Sequence, residues 1–345
     1  MVDKNYCMSS YMAFRYIEND DKDFFKGMKH KNKKLLKPEE RILVKTAEDI
    51  DRECKKAFKT IENKKHGILL SGGMDSAIVA SYMPGSNAYT FRFMNGEYQK
   101  EELANAEYYA NTYNLKLHYI DISWDKVQEL LPVIMKNKCA PVHSIETQIL
   151  QGLLEAKKDG MEVVAVGESA DLVFGGMDGL MKKDWTFDEF VERYIFTDPK
   201  KVLREPVDVR YLFERYRQGD KIDFLKFLDE VFSVESSSSY MNAFEVAGLE
   251  YFDPYANLMM ADPLDIQRVR SGETKYLIRE LFKMKYPDRK IPEKIPMPRP
   301  VDFYFKNWSG PTRKEFKRNL NMEEFTGNQK WQLYCLEAFL NQFDK

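Results

Sequence analysis

Residues 66–83 read HGILLSGGMDSAIVASYM, an apolar run that breaks into Ser71-Gly72-Gly73 and resumes, past Asp75 and Ser76, with helical composition. Where a strand ends and a helix begins, unpaired backbone N–H groups point outward, so an anion is the natural guest. A carboxylate in the same turn would repel that anion unless a cation lies between them. The pattern therefore points to a metal-bound polyphosphate. The glycines would let backbone approach the phosphates, Ser71 and Ser76 would add hydroxyl donors, and Asp75 suits Mg²⁺. The same letters also suit a plain tight turn whose Asp75 favours a helix start. No Walker A lysine follows, which excludes the P-loop of kinases and GTPases.

From Lys65 onward, short apolar runs alternate with amphipathic stretches. GILL (67–70), AYTFRF (88–93), KLHYIDI (116–122) and EVVAVG (162–167) read as buried strands. DSAIVASYM, KEELANAEYYANTYN and IETQILQGLLEAKKDG read as the helices among them. Alternation of this kind implies an α/β fold with a parallel sheet flanked by helices and right-handed crossovers. After about Asp184 the strand signal fades. TFDEFVERYIF carries a capping box, Thr186 with Glu189, and three further helical faces follow, interrupted by the proline-rich YPDRKIPEKIPMPRP. That segment should be stiff and extended, because each proline fixes φ.

Ligands of open parallel sheets bind beyond the carboxyl ends of the strands. VGESADLVFGGMDG sits at such an end, after the fourth strand, and supplies Glu168 and Asp171 ahead of the pair Gly175-Gly176. Two acids there could complete a metal site or orient a nucleophile, although an acidic loop capping a helix would look the same.

With 53 basic and 55 acidic residues the net charge is −2, so no global field favours nucleic acid or an anionic membrane. KHKNKK, at 29–34, reads as a solvated run. Cys7, Cys54, Cys139 and Cys335 form no CxxC, which argues against a zinc ribbon or dithiol centre and suits a reducing cytosol. The first residues lack an apolar signal core and no run is apolar enough to span a bilayer, so a cytoplasmic protein is expected.

Here a family resemblance enters. SGGMDS resembles the SGGxDS pyrophosphate loop of the N-type ATP pyrophosphatases, and GESADLVFGG resembles the GEGADELFGG signature of the asparagine synthetase synthetase domain, shared by β-lactam synthetase. KYLIREL (275–281), followed by YP, is similar to that family's helical lysine–leucine–arginine stretch. The resemblance spans roughly residues 60 to 310. It implies a PP-loop, adenine nucleotide α-hydrolase-like fold and an enzyme that adenylates a carboxylate with ATP and Mg²⁺, releases pyrophosphate, and lets an amine displace AMP. It divides the chain into an N-terminal extension (1–60), an ATP-binding α/β domain (61–183) and a helical region with the proline-rich loop (184–345).

Residue by residue, the resemblance places Ser71, Gly72, Gly73, Asp75 and Ser76 at the pyrophosphate, Asp75 and Asp171 on Mg²⁺, Leu70 and Gly167 on the nucleoside through backbone, and Glu168 at the reacting centre. Ser169 and Leu172 depart from the signature, so the substrate side should differ. The family's late Arg-x-Lys element has no clean counterpart. Lys294 is its best match and Arg299 its competitor, as a cation stabilising charge on the α-phosphate. His143 reads as a structural or substrate-shaping histidine. The chain opens on Met1-Val2, and about 60 residues precede the first loop. A glutaminase with an N-terminal cysteine is therefore not expected, and the nitrogen would come as free ammonia, from a donating partner, or as another amine. A PP-loop sulfur transferase and a non-catalytic ATP-binding subunit are the rival readings. The absence of paired cysteines and the net charge count against the former.

Overall fold

Side chains of the first apolar run face alternate ways, Ile68 and Leu70 into one core and Leu69 into another, as a strand buried on both faces requires. A computed structural model of the chain describes residues 1–34, 36–93, 99–293, 297 and 299–344. Its strands are β1 (Ile42–Val44), β2 (His66–Leu69), β3 (Asn87–Phe93), β4 (Lys116–Ile122), β5 (Val163–Ala165), β6 (Arg217–Gln218), β7 (Lys221–Ile222), β8 (Glu250–Phe252) and β9 (Leu258–Met260). The central sheet has the order β4-β3-β2-β5-β8, and every pairing in it is parallel. β1 pairs with β9, and β6 with β7, in two small ribbons.

The first helices are α1 (Lys4–Phe14), α2 (Ala47–Lys59), α3 (Met74–Ala80), α4 (Lys100–Thr112), α5 (Trp124–Lys138), α6 (Glu146–Lys158) and α7 (Ala170–Val173). One face of the sheet is covered by α5, α6, α1 and the helices Ser233–Ala247 and Gly327–Phe343. The other is covered by α2, α3, α4 and the helix Tyr276–Lys285. A third, aromatic cluster joins the end of α1 to residues 185–231, with the Phe213 and Phe227 rings stacked at 5.1 Å. The capping boxes at Thr46 with Asp49 and at Thr186 with Glu189 fix the starts of their helices.

The chain runs β2, β3, β4 in one direction and then returns through α5 and α6 to lay β5 on the far side of β2. The sheet therefore has a switch point between the ends of β2 and β5. A crevice opens at such a place because consecutive connections leave in opposite directions.

The four strands read from the sequence are present. A fifth, β8, lies in the stretch read as helical, because three residues carry no usable periodicity. α1, within the expected N-terminal extension, packs into the main core. Residues 287–293 hold no regular helix or strand. Lys294 lies outside the described residues. No helix among those described is long and apolar enough to cross a membrane.

Candidate active site

The loops after β2 and β5 touch backbone to backbone. A Cβ added at Gly167 would lie 3.0 Å from the Asp75 carbonyl carbon and 3.2 Å from the Ser76 nitrogen. The absent side chain is what lets the two turns close on each other. A third loop, after β8, ties both: the Tyr255 hydroxyl donates to the Asp75 carbonyl at 3.2 Å, and Asp253 accepts the Ser169 N–H at 2.8 Å.

Above this junction the Asp75 and Asp171 carboxylates converge on one cation, the Lys275 ammonium. Nζ lies 2.6 Å from Asp75 Oδ2 and 2.7 Å from Asp171 Oδ1. Lys275 is only 3% exposed. Burial alone would lower its pKa, but the two carboxylates outweigh that and the net shift is upward. Lys275 precedes the helix Tyr276–Lys285 with φ of 52°, a left-handed conformation rare for a lysine. In the sequence it stands at the head of KYLIREL, where nothing local marks a role for it.

The residues of the first turn divide by duty. Ser76 is buried, and its hydroxyl meets the Ser71 N–H at 3.1 Å and the Ser71 hydroxyl at 2.9 Å, so it closes the turn internally. A Cβ on Gly72 would fall 2.5 Å from the Glu102 carbonyl oxygen, so this glycine admits α4. A Cβ on Gly73 would meet only the Ser71 hydroxyl, at 3.3 Å. Ser71 is exposed and Gly73 half-buried, so these two positions of the turn stay open to solvent. The Leu70 N–H is committed to the Tyr89 carbonyl at 2.8 Å and is not on offer to a nucleoside.

Glu168 lies beside the junction and accepts hydrogen bonds from the Ser236 hydroxyl and, at 3.4 Å, from that of Ser169. Loss of water pushes its carboxyl up to about 8, and the charge of Asp253 adds to the shift. Asp253 itself is pushed up to about 6 by burial, held back by the Ser169 and Tyr255 N–H groups. Neither Asp253 nor Ser236 emerges from the sequence reading. The only available signal for the former was an acid closing a short aromatic run, EYFD.

His143 and Arg299 stand in a second polar cluster. The Arg15 guanidinium lies 3.1 Å from Glu235, 3.5 Å from His143 Nε2 and 4.6 Å over the Phe196 ring. Arg299 donates to Asn328 at 3.1 Å. His143 is held far below its usual pKa, first by burial and then by the charges of Arg299 and Arg15, so it is neutral and not a general acid.

The donor set at the junction fits a hard divalent cation. Two carboxylates from neighbouring strand ends already hold a positive charge, and no group of three or more His, Cys, Asp or Glu suited to a metal occurs among the described residues. An ion held there by two carboxylates would be completed by phosphate oxygens and water.

The asparagine synthase family model matches residues 54–240, more than half of the chain. A Methanocaldococcus jannaschii protein, named as putative glutamine-hydrolyzing asparagine synthetase 1, is 27% identical over 170 residues, 47% of this chain. The chain spans 30% of that relative's length. Among solved structures, the NMN synthetase of Francisella tularensis overlaps 73% of this chain and 97% of its own at 13% identity and TM-score 0.28. The NH3-dependent NAD synthetase of Campylobacter jejuni overlaps 38% and 61% at 18% identity and TM-score 0.27. Overlaps this weak carry no argument about the chemistry of this chain.

Proposed function

We propose that this chain, which belongs to the asparagine synthase family, is an ATP- and Mg²⁺-dependent ligase that joins a carboxylate to ammonia or another amine. The observation that carries the reading is the convergence of Asp75 and Asp171 on one buried cation position above the Ser71–Ser76 turn. Mg²⁺, when bound there, supplies positive charge to the polyphosphate.

In the first half-reaction an oxygen of the substrate carboxylate bonds to the α-phosphorus of ATP, and the bond to the bridging oxygen of the β-phosphate breaks. The exposed Ser71 hydroxyl and the open face over Gly73 receive the departing pyrophosphate. Lys275, released from the two aspartates when they take the metal, would lend its charge where negative charge builds. In the second half-reaction the amine nitrogen bonds to the acyl carbon, AMP leaves, and the nitrogen must shed a proton. Glu168 in its ionised form accepts it, and a carboxyl raised to about 8 holds the proton once taken. Free ammonia, an ammonia-donating partner, or a larger amine would each satisfy this half.

Acid-dependent exchange of labelled pyrophosphate into ATP, run over a panel of carboxylates with Mg²⁺, tests the reading. Exchange with one class of acid is expected, and Asp75→Asn or Asp171→Asn should lower it roughly a thousandfold or more, since each removes several kcal/mol of transition-state stabilisation. AMP formation only with tRNA and sulfide, or ATP binding with no exchange for any acid, would overturn it.

A further inference from the structure

Glu168 and Asp253 stand at one junction without a cation between them. Among the described residues neither carboxyl has an ion-pair partner, and the Lys275 ammonium is spent on Asp75 and Asp171. A carboxyl taken out of water without a counter-ion is costly, and such groups gather at sites of chemistry.

Ser169 joins the two. Its N–H, in the peptide that links it to Glu168, donates to Asp253 Oδ2 at 2.8 Å, and its hydroxyl donates to Glu168 Oε2 at 3.4 Å. Asp253 is held in turn: the Tyr255 N–H donates to its Oδ1 at 3.0 Å and the Tyr251 hydroxyl to its Oδ2 at 3.3 Å. The other Glu168 oxygen takes the Ser236 hydroxyl. Ser169 is fully buried and Asp253 is 7% exposed, so little water screens one carboxyl from the other. Ser169 is also a position where the chain departs from the GEGADELFGG signature, which has glycine there. A glycine would keep the N–H contact and lose the hydroxyl.

The charges around Glu168 favour a proton on it. Asp253 approaches from the loop after β8, Asp171 from the loop of Glu168 itself, Tyr251 from β8 and Tyr240 from the helix Ser233–Ala247. All four are acids. On the side of that helix Arg299 supplies a cation, and its charge bears on Glu235 and Tyr240. Asp253, pushed up only to about 6 against about 8 for Glu168, is the member of the pair that is ionised at neutral pH.

We propose that Asp253 is a positioning residue for the amine half-reaction: through the Ser169 N–H it fixes the peptide that carries Glu168, and through its charge it makes Glu168 hold the proton taken from the amine. Asp253 touches no substrate. The proton passes from the amine nitrogen to the Glu168 carboxylate and stops there. The inference rests on the ligase reading and adds to it the residue that sets the strength of its base.

The test has two arms. The first needs no turnover: the whole chain, isotopically labelled at its glutamate carboxyls, is titrated by NMR, and Glu168→Gln identifies the resonance. In the parent the Glu168 signal should show a second inflection where Asp253 titrates, the mark of a coupled pair. This reading needs no variant of Asp253 to fold. In Asp253→Asn the second inflection should vanish and the Glu168 midpoint should fall by about one pH unit or more, roughly a tenfold loss of proton affinity. Ser169→Ala keeps the N–H contact and the Asp253 charge, so Glu168 should still titrate near 8. The second arm compares half-reactions, with ammonium chloride and the acid found active in pyrophosphate exchange. Asp253→Asn should slow amide formation at least about tenfold more than it slows exchange, and move the inflection of the amide pH–rate profile to lower pH. Loss of structure alone would slow both halves together. Coupled titration with no amide formed from any acid upholds the pair and rejects the ligase reading. A single Glu168 inflection that Asp253→Asn leaves in place, or equal slowing of both halves, overturns the pair and leaves the ligase reading to stand on pyrophosphate exchange.

Discussion

Lys275 concentrates in one residue most of what the site demands. Its backbone sits in the left-handed region at a cost of about 1–2 kcal/mol, and its ammonium is buried between two carboxylates. Lys275→Met should leave those carboxylates facing each other without their shared cation. The expected loss is about 1–3 kcal/mol, below that for a fully buried pair because Asp75 and Asp171 keep 22% and 31% of their side-chain exposure. Mg²⁺ should raise the Tm of this variant more than that of the parent; equal Mg²⁺ responses would mean that lysine and metal do not share the position. Glu168 gives a second check. Its folded carboxyl titrates near 8 against about 4.3 unfolded. Between those values the folded chain holds the extra proton, so the group's contribution to stability falls as pH rises. Glu168→Gln removes that fall, and its stability relative to the parent should improve from pH 5 to pH 8 in paired denaturant melts. Parallel pH profiles would place the carboxyl in water.

At the scale of elements, two adjacent glycines do different work. Gly72→Ala sets a Cβ against the Glu102 backbone, where neither side can yield without moving α4 from α3. Urea melts should show a loss of about 1–3 kcal/mol. Gly73→Ala meets only a hydroxyl, so its stability should stay within about 0.5 kcal/mol while ATP affinity drops, read by nucleotide titration. The reverse pattern would exchange the two assignments. The same scale explains what periodicity did and did not reveal. β4 matches its apolar run end to end, because seven residues suffice to set a pattern. β8, three residues long, owes its place to pairing with β5 and to Asp253 and Tyr255, which tie its loop to both motifs.

For the whole molecule, the local chemistry was legible because it is written in consecutive residues. Two strand–glycine–acid turns, their order along the chain and the parallel alternation around them are short-range properties. They determined an α/β sheet and an address at its carboxyl edge where two glycine turns each carry an acid. Only the tertiary structure decided which cation stands at that address, because Asp75 and Lys275 are 200 residues apart and no spacing rule joins them. It alone brought Arg15 to Glu235 and His143 across 220 and 128 residues, turning an apparent N-terminal extension into part of a second polar cluster. Short-range order follows from backbone geometry and side-chain period. Long-range encounters follow from which faces bury together, and in this chain the sheet face under α5 and α6 is closed by helices from both ends of the sequence.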